Sequence, residues 1–198
     1  MTEMGDITRL LDELAGADDS ASSQVLERLM PLVYEELRSL ARSNRCRWQG
    51  TGHPGTTSLV HEAYLKMAQG AAVDYRSRGQ FFAIASKAMR SILVDNARWH
   101  RSQKRGGGRR RVPLENVDLV SAERSDELLA VDRALEDLER EAPELVSIVV
   151  CRVFGGLTVE ESAEALEVST ATVKRRWRLA KAWLYRELRG SADGEPSQ

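Results

Sequence analysis

The side chains in this sequence best suited to chemistry are cations, and cations of this kind hold phosphates and read base edges. Lys174, Arg175, Arg176 and Arg178 crowd into one stretch, directly after the small run Ser169, Thr170, Ala171 and Thr172. A guanidinium can take both acceptors of a guanine or clamp a phosphate, and short side chains opening a helix commonly reach base edges in a groove. A second group is Arg90, Asn96, Arg98, Arg101 and Lys104, with Trp99 among them. Cations mixed with an aromatic ring can grip a nucleic-acid backbone and its bases together.

Catalytic constellations are missing, so the sequence reads as that of a non-enzyme needing no cofactor and no metal. His61-Glu62 resembles the start of a zinc-protease pair, but Leu65 stands where the second histidine is required. The stretch RGGGRR from Arg105 lacks the Gly-Lys-Ser/Thr of a phosphate loop, and no Ser, His and Asp order suggests a hydrolase. Cys46 and Cys151 are the only cysteines and lie far apart, which argues against a disulfide framework or a four-ligand zinc site.

The cations of the C-terminal region need a scaffold, and TVEESAEALEVSTATVKRRWRLAKAWLYR, from Thr158 to Arg186, reads as a helix-turn-helix. Thr158 with Glu161 makes a capping box for one helix, and Ser169 caps a second after a break around Glu167 and Val168. Val173, Trp177, Ala180 and Leu184 share a face, leaving Lys174, Arg175, Arg178 and Lys181 largely elsewhere. Ala163 and Val173, ten residues apart, fit a motif in which a small residue lets the helices touch and a branched one anchors the second. Such a turn usually carries glycine for its positive φ. Glu167 occupies that place, so the turn is expected to be built differently.

Upstream, nearly every periodic segment has the helical period, which predicts an all-α protein. Ile7 to Leu14 makes a short helix, and Ser20 to Trp48 a long one with a stripe of Leu26, Leu29, Val33, Leu37 and Leu40, which Pro31 can kink or split. After the loop Gln49 to Thr57, Thr57 or Ser58 caps a helix through Gln69, and a third runs from about Phe81 to His100. Arg105 to about Arg124 turns Gly-rich, basic and aperiodic, as an exposed linker does. Beyond it Ser125 caps a helix carrying Leu128, Val131, Leu135 and Leu138. Ala142-Pro143 opens a helix from Glu144 to Phe154, which Gly155-Gly156 ends. The expected division is a domain over 1–104, a linker over 105–124, a helix-turn-helix domain over 125–190 and a disordered tail over 191–198.

A formal net charge of -1 over 198 residues gives no overall attraction to nucleic acid, but the charge is segregated. Arg98 to Arg111 holds seven Arg or Lys and no acid, and Lys174 to Arg189 is also basic, whereas Asp126 to Glu144 is mostly acidic. That pattern suggests two DNA-facing surfaces with a solvated or partner-facing acidic helix between them. No apolar run approaches the ~20 residues of a bilayer span, and MTEMGDITRL lacks the features of a signal peptide, so the expected location is the cytoplasm.

Three motifs in order carry a resemblance over about Ile7 to Leu188: SLVHEAYLKM from Ser58, FFAIASKAMRSILVDNAR from Phe81, and the helix-turn-helix, with KRGGG following the second. The chain resembles the extracytoplasmic-function (ECF) sigma factors, two-domain initiation factors of bacterial RNA polymerase. The resemblance implies a region 2 domain and a region 4 helix-turn-helix domain on a flexible linker, with core polymerase and promoter DNA as partners. It implies that Leu59, His61, Glu62, Tyr64, Leu65 and Lys66 dock on the clamp helices of the largest polymerase subunit, although Ser58 and His61 replace the family's usual acid and Gln. It implies that Tyr75, Arg76 and Arg78 lie where a flipped promoter base is captured. Arg90, Asp95, Asn96, Arg98, Arg101 and Lys104 would meet the minus-ten element and assist melting. Ser169, Thr170, Ala171, Thr172, Lys174, Arg175, Arg176 and Arg178 would read the minus-thirty-five element, with Arg109 to Arg111 facing nucleic acid from the linker. Many relatives are held by an anti-sigma factor, for which Ser125 to Glu141 is a candidate surface.

Two other classes stay open. One is a transcription regulator that binds duplex DNA without core polymerase and uses its N-terminal half for dimerisation or ligand sensing. The other is a nucleic-acid-processing enzyme. LVHEAYLKM followed by a basic helix discriminates against the first, and the missing catalytic groups against the second.

Overall fold

A computed structural model describes residues 3–15, 19–48, 54–69, 77–105 and 119–192, and among these there are eight α-helices and no strand. In chain order they are α1 (Glu3–Ala15), α2 (Asp19–Trp48), α3 (Thr56–Gln69), α4 (Arg78–Arg105), α5 (Leu119–Glu141), α6 (Pro143–Val149), α7 (Val159–Ala165) and α8 (Thr170–Ala192), with a π-helical turn at Val150–Phe154 between α6 and α7.

The apolar stripe of α2 is buried as its period requires: Leu26, Leu29, Val33, Leu37 and Leu40 face inward. They meet Leu59 and Val60 of α3 and Phe81, Ala85, Met89 and Leu93 of α4 in one core. Each such aliphatic side chain removed from water stabilises the fold by about 1.5–3 kcal/mol. Pro31 neither splits nor ends α2, which runs unbroken past it. The sequence starts α3 at Thr57 or Ser58, but Gly55 O already accepts from Leu59 N at 2.8 Å and the helix begins at Thr56. The Thr56 hydroxyl accepts from Arg45 Nη1 at 2.9 Å, tying α2 to the start of α3. Ser77 caps α4, its hydroxyl accepting from Gln80 N at 3.1 Å, so α4 starts three residues before the expected Phe81.

Two boundaries differ more. α5 begins at Leu119, inside the stretch read as linker, and α8 continues to Ala192, past the expected start of the tail. The Gly-rich core of that linker, residues 106–118, and the tail after 192 lie outside the described residues.

The larger finding is the join between the halves. Helices α5 and α7 and the π turn pack on α4, and α5 also touches α2. Phe154 is the hub. It is fully buried, its ring stacks on Trp48 with centroids 5.7 Å apart, and its carbonyl accepts from buried Asn44 Nδ2 at 2.7 Å. Arg47 Nη1 adds a bond to Val153 O at 3.1 Å. Two glycines permit the approach. A Cβ on Gly155 would sit 2.5 Å from Cys151 O and 2.9 Å from Ser86 Oγ, and one on Gly79 would sit 3.0 Å from Glu161 O. The two halves therefore share a continuous apolar core rather than standing apart.

Cys151 lies in the π turn, and burial pushes its thiol up to about 11. The folded chain therefore keeps this thiol protonated where an unfolded one ionises. Its stabilising share is intact below the ordinary thiol value and is lost as pH rises toward 11, a fall of about 2 to 3 kcal/mol. Iodoacetamide at pH 8 is expected to alkylate exposed Cys46 quickly and Cys151 only on unfolding; equal rates for both would contradict this burial.

Candidate nucleic-acid interface

The helix-turn-helix is built from its capping residues outward. Thr158 N donates to Glu161 Oε2 at 2.8 Å while Glu161 N donates to Thr158 Oγ1 at 3.1 Å, the reciprocal box that starts α7. Ser169 Oγ accepts from Thr172 N at 3.2 Å and starts α8. Between them Glu167 has φ 52°, so the turn keeps the left-handed conformation with a glutamate in the place of glycine. The expectation of a differently built turn is therefore corrected. Val168 N donates to Ala163 O at 3.0 Å and closes it. A left-handed non-glycine residue costs about 1–2 kcal/mol, partly offset by its smaller loss of backbone freedom. Glu167→Gly is expected to raise stability by about 0.5 to 1 kcal/mol in urea unfolding, and a loss would contradict the turn geometry.

Ala163 and Val173 meet in a small buried cluster with Ile148 of α6. Val173 and Ala180 face inward and Trp177 and Leu184 are half-buried, so α8 is fixed by the face the sequence marks for packing. The opposite face presents Ser169, Thr170, Ala171, Lys174, Arg175 and Arg178 to solvent, with Thr172 and Arg176 half-buried at its margin. Arg152 and Lys181 flank the Trp177 ring at 6.0 and 5.4 Å from its centroid. The result is a rigid helix whose free face is cationic and opens on small polar residues, a form suited to a duplex groove.

The α4 cations stand in another environment. Arg90 Nε and Nη2 donate to Asp132 Oδ1 at 3.1 and 2.6 Å, and the guanidinium lies 5.9 Å from the Phe154 ring centroid. Arg98 Nη2 donates to Asp132 Oδ2 at 3.0 Å and to Glu136 Oε1 at 2.8 Å. The Glu136 hydrogen bond chiefly, with the carboxylates around it, holds the Arg98 guanidinium above its ordinary value. Asn96 Nδ2 donates to its own helix at Ile92 O, 3.1 Å away. Arg101 lies with Arg98, Ser102 and Arg133 around a shallow cavity between α4 and α5. The side chain of Lys104, and Tyr75 and Arg76, lie outside the described residues; Arg78 is ion-paired with Glu36.

On α3 the anticipated polymerase-facing residues separate by depth. Leu59 is buried in the core, Glu62 and Tyr64 are half-buried, and His61, Leu65 and Lys66 are exposed, Leu65 by 41%. Burial first, and then the Glu27 carboxylate, push the Tyr64 phenol above its usual value. Lys66 Nζ bonds Ser91 Oγ at 2.6 Å and lies 3.8 Å from Asp95, while Ser58 Oγ donates to Glu62 Oε1 at 3.1 Å.

Asp132 and Glu136 are what the residue-level reading of the cationic sites missed. An acidic helix face looks the same in sequence whether it is solvated or paired, so the signal was present without its meaning. No group of metal-binding side chains occurs among the described residues, and no described helix is long and apolar enough to cross a membrane.

An all-α chain ending in a helix-turn-helix with an open cationic face defines a DNA-binding protein. A sequence model of the ECF sigma factor family matches residues 4–190, and the chain belongs to that family. It is thus a factor of transcription initiation, of the kind that works with core RNA polymerase on promoter DNA. No curated protein and no solved structure matches it.

Proposed function

We propose that the protein directs core RNA polymerase to promoters by reading two elements with two helices. Helix α8 enters the major groove at the minus-thirty-five element, with Thr170, Ala171, Thr172, Arg175 and Arg176 toward base edges and Lys174 and Arg178 toward phosphates. Helix α4, through Arg90, Asn96, Arg98, Arg101 and Lys104, meets the minus-ten element, and Tyr75, Arg76 and Arg78 capture a base freed by melting. The exposed part of α3, centred on Leu65, docks on the polymerase. The observation that carries this reading is the open cationic face of α8 in a chain matched by the family over residues 4–190. The protein acts in the cytoplasm beside its polymerase, takes no part in bond chemistry and remains open to control by an anti-sigma factor.

The docking face is tested by gel filtration with core polymerase. The native chain is expected to co-elute with core, and Leu65→Asp to weaken that complex at least about tenfold, or 1.4 kcal/mol, because a charge then enters an apolar contact. A native chain that elutes apart from core would overturn the reading.

A further inference from the structure

The two sets of cations assigned to DNA differ in what they touch. Those on α8 face solvent, whereas Arg90 and Arg98 on α4 are engaged by the carboxylates of Asp132 and Glu136. Asp132 is only 7% exposed and Arg90 13%, so this is an enclosed contact rather than a pair of surface charges that happen to be adjacent. A carboxylate that accepts from two guanidinium groups is the same kind of acceptor as a backbone phosphate. It also arrives tethered to its target, at an effective concentration that free DNA does not match.

We propose that α5 is an internal competitor for nucleic acid: Asp132, seconded by Glu136, occupies the phosphate-binding groups of α4 and holds the factor closed until polymerase and promoter pull the halves apart. The proposal rests on the reading of α4 as a DNA-facing helix. The contact cannot be released by the two acids alone, because the same seam is closed by the Phe154–Trp48 stack, by Asn44 on the Phe154 carbonyl and by Gly79 against α7. Opening therefore moves α5, the π turn and α7 together. The closed form leaves α8 ready to meet duplex DNA and withholds α4, so the free factor is prevented from gripping single strands wherever they occur.

The test uses the full chain without polymerase, with a fluorescein-labelled single-stranded DNA of mixed sequence as probe and anisotropy as readout. Asp132→Asn keeps the shape of the side chain and removes its charge. It is expected to bind the probe about five- to tenfold more tightly, as when loss of the charge raises a sparsely populated open form by that factor. Glu139→Gln, on the same helix but exposed and outside the clasp, makes the same change in net charge and is expected to shift affinity less than twofold, about the limit of long-range screening. A second variant prises the seam without touching the acids. Gly79→Val brings a branched side chain to a place where a Cβ alone would lie 3.0 Å from Glu161 O and 3.2 Å from Ala165 N. It is expected to bind the probe about fivefold more tightly than the native chain. Equal binding by Gly79→Val and the native chain, an equal gain from Glu139→Gln and Asp132→Asn, or no binding by any form would each overturn the proposal. Polymerase is absent from every arm, so a failure of the clasp is distinguishable from a failure of the sigma-factor role, which transcription reads separately.

Discussion

Phe154→Ala is expected to cost about 3 to 5 kcal/mol of stability, the largest effect of any single truncation proposed for this chain. The ring is 1% exposed and belongs to both halves at once, stacked on Trp48 of α2 and covered by Arg90 of α4 while it sits in the π turn between α6 and α7. Neighbours can refill such a space only by moving backbone, and Gly155, already in close approach to Ser86, leaves little room for that. The loss should appear in urea unfolding as one cooperative transition at a lower midpoint. If the halves were independent, Phe154→Ala would instead split the transition, leaving residues of α1 to α4 at native stability. A cost below about 1 kcal/mol would contradict the shared core.

Arg175→Ala is expected to weaken recognition of the minus-thirty-five element by about 1 to 3 kcal/mol, roughly 5- to 150-fold in affinity. Arg175 is exposed, projects from the second turn of α8 and belongs to a helix whose position is fixed by Val173 and Ala180. A rigid mount matters because two hydrogen bonds to one guanine require the fork to arrive in the correct plane. The measurement is binding to a set of duplexes that vary one base pair at a time. Discrimination should collapse at one position and persist at the others. A uniform loss, with a salt dependence lower by about one charge, would show instead that Arg175 holds a phosphate.

Most of the fold was readable in the sequence, for physical reasons that differ by element. α2 and α8 were legible because a packed helix face must repeat near every 3.6 residues, and Leu26, Leu29 and Val33, or Val173 and Ala180, do so. α7 was legible because Thr158 and Glu161 satisfy each other's backbone donors within four residues. The first turns of α5 were not, since Leu119 to Arg124 follow an aperiodic, Pro-containing stretch and Ser125, a residue type that favours helix starts, marks a later one. Glu167 shows the limit of residue-type rules: the turn takes the positive φ that glycine favours, and the packing of Ala163, Val173 and Ile148 holds it there.

The candidate site was legible on α8 and only half legible on α4. Arg90 and Arg98 were found as cations, but their partner Asp132 lies 42 and 34 residues away in the chain, and no local pattern joins them. Periodicity marks which face of a helix is buried and says nothing of what buries it. On α3 the resemblance names Leu59 and Leu65 together, and the fold separates them by depth, Leu59 buried in the core and Leu65 exposed. The two halves share one core, and the proposed engagement of one promoter by both would separate surfaces that pack together.

The most direct measurement is transcription from a randomised promoter library by core polymerase with and without this protein, with every start mapped. The account predicts starts that require both components and share two upstream sequence elements, the farther of which loses its influence with Arg175→Ala. Absence of any start that depends on both would contradict it.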